Sequence, residues 1–222
     1  MKVKAVIFDL DGTLLNTLED LADSCNAALK ETGYPERSIE EIKNFVGNGL
    51  VLLMERALPA GRQNPDFNRA MESLRRHYAN NWKNKTRAYP GIESLISKLN
   101  EQGIKTGIVS NKPDERVKDL AKLYFAPYIS AECAVGEKEK EGIRKKPAPD
   151  SVFTVMKILG SSKENTVYVG DSDVDIETAA NAGLPCISVT WGFRSRAFLL
   201  EHGAKYLADS CQDLIQVVEN IF

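Results

Sequence analysis

Only two histidines, four cysteines and no long apolar run occur in this chain of 222 residues, and each scarcity removes a class of function. No stretch approaches the ~18 consecutive apolar residues that span a bilayer, so no membrane partner is expected. The opening apolar segment, Val3 to Phe8, is too short and too soon interrupted by acids for a secretion signal. Cys25, Cys133, Cys186 and Cys211 are scattered and form no C-x-x-C pair. That pattern argues against a zinc site or a disulfide framework and for buried free thiols in a reducing, cytoplasmic setting. The net charge of −2 gives no electrostatic case for nucleic acid or an anionic lipid surface. There is no internal repeat and no low-complexity tract. His77 and His202 read as surface or helix-face residues, not ligands.

What is present is ordinary in bulk and specific in detail. Hydrophobic residues make up 43% and charged residues 27%, the balance of a globular protein with enough chain for one large domain or two small ones. Strand-like and helix-like segments alternate. The first strand ends at Phe8. Asn16 and Glu19 resemble a capped helix start, and Leu18, Leu21, Ala22, Cys25 and Leu29 repeat at helical spacing until Gly33. Ser38 and Glu41 form a second capping signature. Gly47-Asn48-Gly49 interrupts, Leu50 to Leu58 reads as helix, and Asn64-Pro65 opens another carrying Phe67, Met71, Leu74, Tyr78 and Trp82 on one face.

After Tyr89-Pro90-Gly91 the pattern changes. Strands are predicted at Ile104 to Val109, near Tyr128-Ile129, at Thr166 to Val169 and at Pro185 to Val189, with helices between them and one short strand and two helices in the tail. Alternation of this kind means a parallel sheet covered on both faces, an α/β fold. Residues 16–85 hold no convincing strand and read as a second, all-helical domain inserted into a core made of residues 1–15 and 86–222.

The polar clusters sit where predicted strands stop. Asp9-Leu10-Asp11-Gly12-Thr13 follows the first strand and puts two carboxylates two residues apart, on one side of an extended chain. Ser110 and Asn111 follow Val109, Lys146 precedes the proline-bounded helix, and Asp171 and Asp175 follow Val169. Parallel strands bring such ends to one edge of the sheet. The residue types suit phosphoryl transfer. A carboxylate can attack phosphorus. Asp9 with Asp171 supplies the hard oxygens that magnesium prefers. Lys146 and Ser110 offer donors to phosphoryl oxygens. Asp11 can protonate a departing alkoxide and then activate water, with repulsion from Asp9 helping to keep a proton on it.

Asp9-x-Asp11-Gly12-Thr13, Ser110-Asn111, Lys146-Pro147-x-Pro149 and Gly170-Asp171-Ser172-x-x-Asp175 resemble the four signatures of the haloacid dehalogenase-like superfamily. The resemblance covers nearly the whole chain and implies a Rossmann-like core with a helical cap domain inserted after the first strand. It implies Asp9 as nucleophile, Asp11 as general acid/base, and Ser110 and Lys146 as phosphate ligands, with Thr13 and Asn111 in the same motifs. It implies magnesium held by Asp9, Asp171 and the backbone carbonyl of Asp11, with Asp175 in support. The second acid, Asp11, points away from dehalogenation, which needs no proton for its halide.

Phe45-Val46-Gly47-Asn48-Gly49 with Leu53-Met54-Glu55-Arg56-Ala57-Leu58, and Tyr89-Pro90-Gly91, are similar to bacterial phosphoglycolate phosphatases. The implied substrate is a small phosphate ester, 2-phosphoglycolate, with pyrophosphate, a sugar phosphate or a nucleotide as alternatives on the same chemistry. A catalytically silent phosphate-binding regulator is the rival of another class. Backbone N–H groups at Gly47 and Asn48 could meet a substrate carboxylate, or the segment is only a helix–helix turn. Asn16 departs from the aspartate of many members, and the charged loop 137–144 reads as solvated. Arg194 and Arg196 read as solvated helix-start residues near the site rim. The oligomeric expectation is a monomer or homodimer.

Overall fold

The computed structural model describes residues 2–221. The first strand, β1 (Ala5–Phe8), is buried on both faces. A short strand, β2 (Leu15–Asn16), leads into four helices: α1 (Leu18–Thr32), α2 (Ile39–Phe45), α3 (Leu50–Ala57) and α4 (Phe67–Asn81). The chain returns at β3 (Arg87–Ala88), which pairs with β2. It continues through α5 (Ile92–Glu101), β4 (Lys105–Pro113), α6 (Asp114–Phe125), β5 (Ala134–Glu137) and α7 (Asp150–Leu159). The remainder is β6 (Thr166–Gly170), α8 (Asp173–Ala182), β7 (Cys186–Val189), α9 (Arg196–Glu201), β8 (Tyr206–Ala208) and α10 (Cys211–Asn220). Two compact units result: Asn16–Arg87, and the chain on either side of it.

The larger unit is a Rossmann-like α/β layer. Six strands run in the order β5-β4-β1-β6-β7-β8, and the pairings are parallel. Apolar runs such as Ala5-Val6-Ile7-Phe8 and Thr166-Val167-Tyr168-Val169 suit strands covered by helices on both sides. From β1 the chain first builds outward through β4 and β5, then reverses through β6, β7 and β8. The carboxyl end of β1 is therefore the switch point, where crevices form in such sheets.

The helical unit is held by an apolar seam. Leu21, Cys25, Ala28 and Leu29 of α1 and Ala70, Met71, Leu74 and Tyr78 of α4 are buried, joined by Ile42, Leu53 and Met54. The Ser38–Glu41 capping box is present. Buried Asp20 accepts from the Lys85 N–H and from the N–H and hydroxyl of Thr86, which ties down the returning chain. Within this unit Glu31 meets Ser73, Arg76 and His77.

Several local expectations are corrected. The first helix begins at Leu18, not at an Asn16–Glu19 box: the Asn16 side chain accepts from the Leu18 N–H, and Glu19 pairs with Arg87. Strand β4 runs on through Ser110-Asn111-Lys112, because a register irregularity between Val109 and Pro113 lets it keep pairing with β5. Tyr128-Ile129 is a turn and the strand is Ala134–Glu137. Of the four free thiols, Cys25 alone is fully buried and the others are half-buried. Among the described residues no helix is long and apolar enough to cross a membrane.

Candidate active site

The ladder of β1 extends one residue past Phe8, since the Asp9 N–H donates to the Val169 carbonyl at 2.8 Å. The chain then turns, with the Leu14 and Leu15 N–H groups on the Leu10 carbonyl and Gly12 at φ 89°. This turn presses against Asp171. A Cβ added at Gly12 would lie 2.4 Å from Asp171 Oδ2, and one at Gly192 would lie 2.4 Å from Asp171 Cβ. Two glycines from distant segments are thus needed to seat one carboxylate. That carboxylate accepts from the Phe193 N–H at 2.7 Å and from the Thr13 hydroxyl at 3.3 Å. The Trp191 indole N–H in turn holds the Thr13 carbonyl at 3.0 Å.

Lys146 is buried, and its ammonium reaches Asp9 Oδ1 at 2.6 Å, Asp175 Oδ1 at 2.7 Å and the Tyr168 hydroxyl at 3.3 Å. An ammonium has three donors, and these are three acceptors. Asp175 caps the start of α8: its Oδ2 accepts from the Asp171 and Ser172 N–H groups and from the Ser172 hydroxyl. Asp9, Asp171 and Asp175 bring carboxylate oxygens within 4.8 Å of one another.

The Asp11 carboxylate is turned elsewhere. Its Oδ1 meets Lys112 Nζ at 2.9 Å, and its Oδ2 lies 3.5 Å from the Ser110 hydroxyl. Each acid of the pair therefore has its own ammonium, Lys146 for Asp9 and Lys112 for Asp11. Burial acts most strongly on Asp9, and Asp11 acts on it less than Lys146, Asp175 or Asp171 does.

The electrostatics show a shortage of positive charge. Burial pushes the Asp9 carboxyl well above the usual carboxylate range, against the pull of Lys146. Burial and the charge of Asp175 push Asp171 up to about 7. Burial works against the Lys146 ammonium, yet Asp175 and Asp9 hold its pKa well above that of an ordinary lysine. Three buried carboxylates face one buried ammonium, and a hard divalent cation supplies the missing charge with ligands it prefers. The residues present fit magnesium.

Not every candidate residue has the predicted contact. Asn111 does not point a donor into open space: its amide accepts from the Lys146 N–H and donates to the Lys146 carbonyl. Thr13 steadies Asp171. Gly47 and Asn48 lie in the helical unit between α2 and α3, with Gly47 at φ 114°. Arg194 is not solvated; its side chain is 12% exposed, 3.9 Å from Asp173 and over the Phe198 ring. Arg196 is exposed and pairs with Asp209. Lys112, Tyr168, Trp191 and the Phe193 N–H were not singled out from the sequence. A tyrosine inside an otherwise apolar central strand was the one available signal, since a buried phenol needs a partner.

Known proteins carry the same arrangement of chain. The model of the haloacid dehalogenase-like hydrolases matches residues 6–189. A phosphoglycolate phosphatase of Mannheimia succiniciproducens is 31% identical, the match covering 97% of this chain and 98% of that one. One of Cereibacter sphaeroides is 34% identical over 95% and 97%. A crystal structure from Lactobacillus delbrueckii subsp. bulgaricus, provisionally described as a phosphoglycolate phosphatase, superposes with a TM-score of 0.91 at 37% identity and 99% coverage of both chains. With the strand-end acids, the sheet order and these matches in agreement over almost its full length, the chain belongs to the haloacid dehalogenase-like hydrolase family.

Proposed function

We propose that the protein is a phosphatase that hydrolyses 2-phosphoglycolate to glycolate and phosphate with the help of magnesium. The observation that carries this reading is the buried Asp9 carboxylate, held 2.6 Å from Lys146 at the end of β1 beside Asp171, with a second acid two residues on. An Asp9 oxygen attacks phosphorus, the bond to the leaving oxygen breaks, and an aspartyl-phosphate forms. Asp11 gives its proton to the departing alkoxide, then takes one from the water that releases phosphate. Ser110 and Lys146 serve as donors to the phosphoryl oxygens. Asp9, Asp171 and the Asp11 carbonyl would hold magnesium, with Asp175 supporting them, and its chemistry is neutralisation of phosphate charge.

The substrate rests on the relatives, which bear the phosphoglycolate phosphatase name at 31% and 34% identity over nearly the whole chain. The helical unit, as a cap, is proposed to select the leaving group, with Gly47 and Asn48 as its candidate residues. Phosphate release is to be measured on 2-phosphoglycolate, pyrophosphate, sugar phosphates and nucleoside monophosphates, with magnesium and with chelator, for the wild type and Asp9→Asn. The expected result is metal-dependent preference for 2-phosphoglycolate in kcat/KM and loss of turnover in D9N without loss of fold. Preference for another ester would change the substrate and keep the chemistry. A fully active D9N would remove the nucleophile.

A further inference from the structure

Lys112 lies in the part of β4 where the register with β5 is irregular, and it is buried there directly after the buried Ser110 and Asn111. A lysine near a strand end ordinarily runs its stem along the surface and leaves its ammonium in water. Here the side chain is 3% exposed and Nζ sits 2.9 Å from Asp11 Oδ1. A buried ion pair gives little net stability, because desolvation of both charges offsets their attraction. Its presence is better explained by what it orients than by what it stabilises.

Two residues of this segment reach Asp11, one at each oxygen. Lys112 takes Oδ1, the Ser110 hydroxyl lies 3.5 Å from Oδ2, and the Lys112 N–H donates to that hydroxyl at 3.3 Å. One irregular strand segment therefore fixes the rotation of the Asp11 carboxyl, and Lys112 makes the shorter and stronger of its two contacts. We propose that Lys112 is a positioning residue for proton delivery by Asp11: it aims the carboxyl at the leaving oxygen without itself touching the transferred phosphoryl group.

This rests on the phosphatase reading above. In the step concerned, the Asp9 oxygen forms its bond to phosphorus as the phosphorus–oxygen bond to the leaving group breaks. The Asp11 proton goes to that oxygen, which leaves as a neutral alcohol, and Asp11 remains as carboxylate beside the Lys112 ammonium. The need for this proton depends on the leaving group. An alkoxide requires it, whereas 4-nitrophenolate departs without it. A misaimed Asp11 should therefore harm alkyl esters selectively, which general damage to the site would not do.

The test compares kcat/KM of wild type, Lys112→Met, Lys112→Arg, Asp11→Asn and the double variant D11N/K112M on 2-phosphoglycolate and 4-nitrophenyl phosphate. General acid catalysis contributes about 10²–10⁴-fold, so partial misaiming in K112M should cost the alkyl ester about tenfold more than the aryl ester. K112R should recover part of that difference, and adding K112M to D11N should cost little more. Lysine 112 would have no such role if K112M lost both substrates equally, lost neither, or added its full effect to D11N. Measurable aryl phosphate turnover shows that a variant is folded; should K112M not fold, Lys112→Gln is read the same way. Wild-type protein inactive on both esters would instead remove the phosphatase reading, and this proposal with it.

Discussion

The Asn111 side chain and the Lys146 main chain are paired in both directions: the Lys146 N–H donates to Oδ1 at 2.8 Å, and Nδ2 donates to the Lys146 carbonyl at 3.1 Å. The amide acts as a one-residue strand, fixing the backbone from which Lys146 reaches Asp9. Replacing it by alanine strands a buried donor and acceptor, at a cost of about 1–3 kcal/mol. Asn111→Ala should lower the thermal midpoint and lower kcat together, as read by calorimetry and phosphate release. A stable but inactive variant would mean that Asn111 meets substrate directly.

Gly192 should be irreplaceable for a reason of space. A methyl group there would sit 2.4 Å from Asp171 Cβ and 2.5 Å from the Gly12 carbonyl oxygen. Overpacking of this kind costs about 1–3 kcal/mol, and the least costly relief is movement of Asp171. Gly192→Ala is expected to weaken magnesium binding by calorimetric titration more than it weakens the fold. Unchanged magnesium affinity would show that Asp171 does not hold the metal.

The carboxylate excess predicts how stability responds to metal and pH. Asp171 is raised in the folded state from an ordinary 3.8 to about 7 by burial and by Asp175. Its contribution to stability is fully present below pH 3.8 and is lost as pH rises through about 7. At pH 8 the metal-free protein therefore bears the whole cost, and Asp171→Asn should have the higher metal-free thermal midpoint. Magnesium at a hundred times its dissociation constant should add about 2.7 kcal/mol to the wild type. D171N should lose most of that increment. Thermal unfolding at pH 8, with and without magnesium, reads both effects.

In the helical unit the sign reverses. Hydrogen bonds from Ser73, His77 and Arg76 lower Glu31 from 4.5 to about 2. A lowered acid stabilises above its unfolded pKa and ceases to do so as pH falls through its folded one. The stability difference between wild type and Glu31→Gln should thus be present above about pH 5 and vanish near pH 2 in urea titrations. A difference that does not change with pH would overturn the assignment.

The acids were legible because they are unusual where they stand: Asp9, Asp11 and Asp171 each follow an apolar strand that offers them nothing. Their supports were not. Lys112 looks in sequence like any charged residue after a strand, and its burial depends on β5 pairing across an irregular register. That strand, Ala134–Glu137, is hidden because Gly and Glu end it, while Tyr128-Ile129 looks more strand-like and is a turn whose Ile129 is buried. Arg194 reads as solvated because its platform, Phe198, stands only four residues on but is brought under the guanidinium by the turn into α9, which the residue types alone do not announce. Ser38–Glu41 was readable for the opposite reason, since a capping box is local.

The place of β1 has a consequence for how the chain is made. Its two neighbours in the sheet begin at Lys105 and Thr166, and the lysine that holds Asp9 lies 137 residues further on. At about 5–20 residues per second, a ribosome takes on the order of ten seconds between delivering the nucleophile and delivering its last partner. Until β4 emerges, the apolar strand Ala5-Val6-Ile7-Phe8 has both edges open, and the edge that β6 covers stays open through the whole interval, the kind of segment that seeks other chains. The helical unit is the first part that can fold, because its seam is drawn from Asn16–Arg87 alone. A chain interrupted just before Lys146 would carry that finished helical unit, a strand still lacking its β6 neighbour, and a nucleophile without the lysine that holds it.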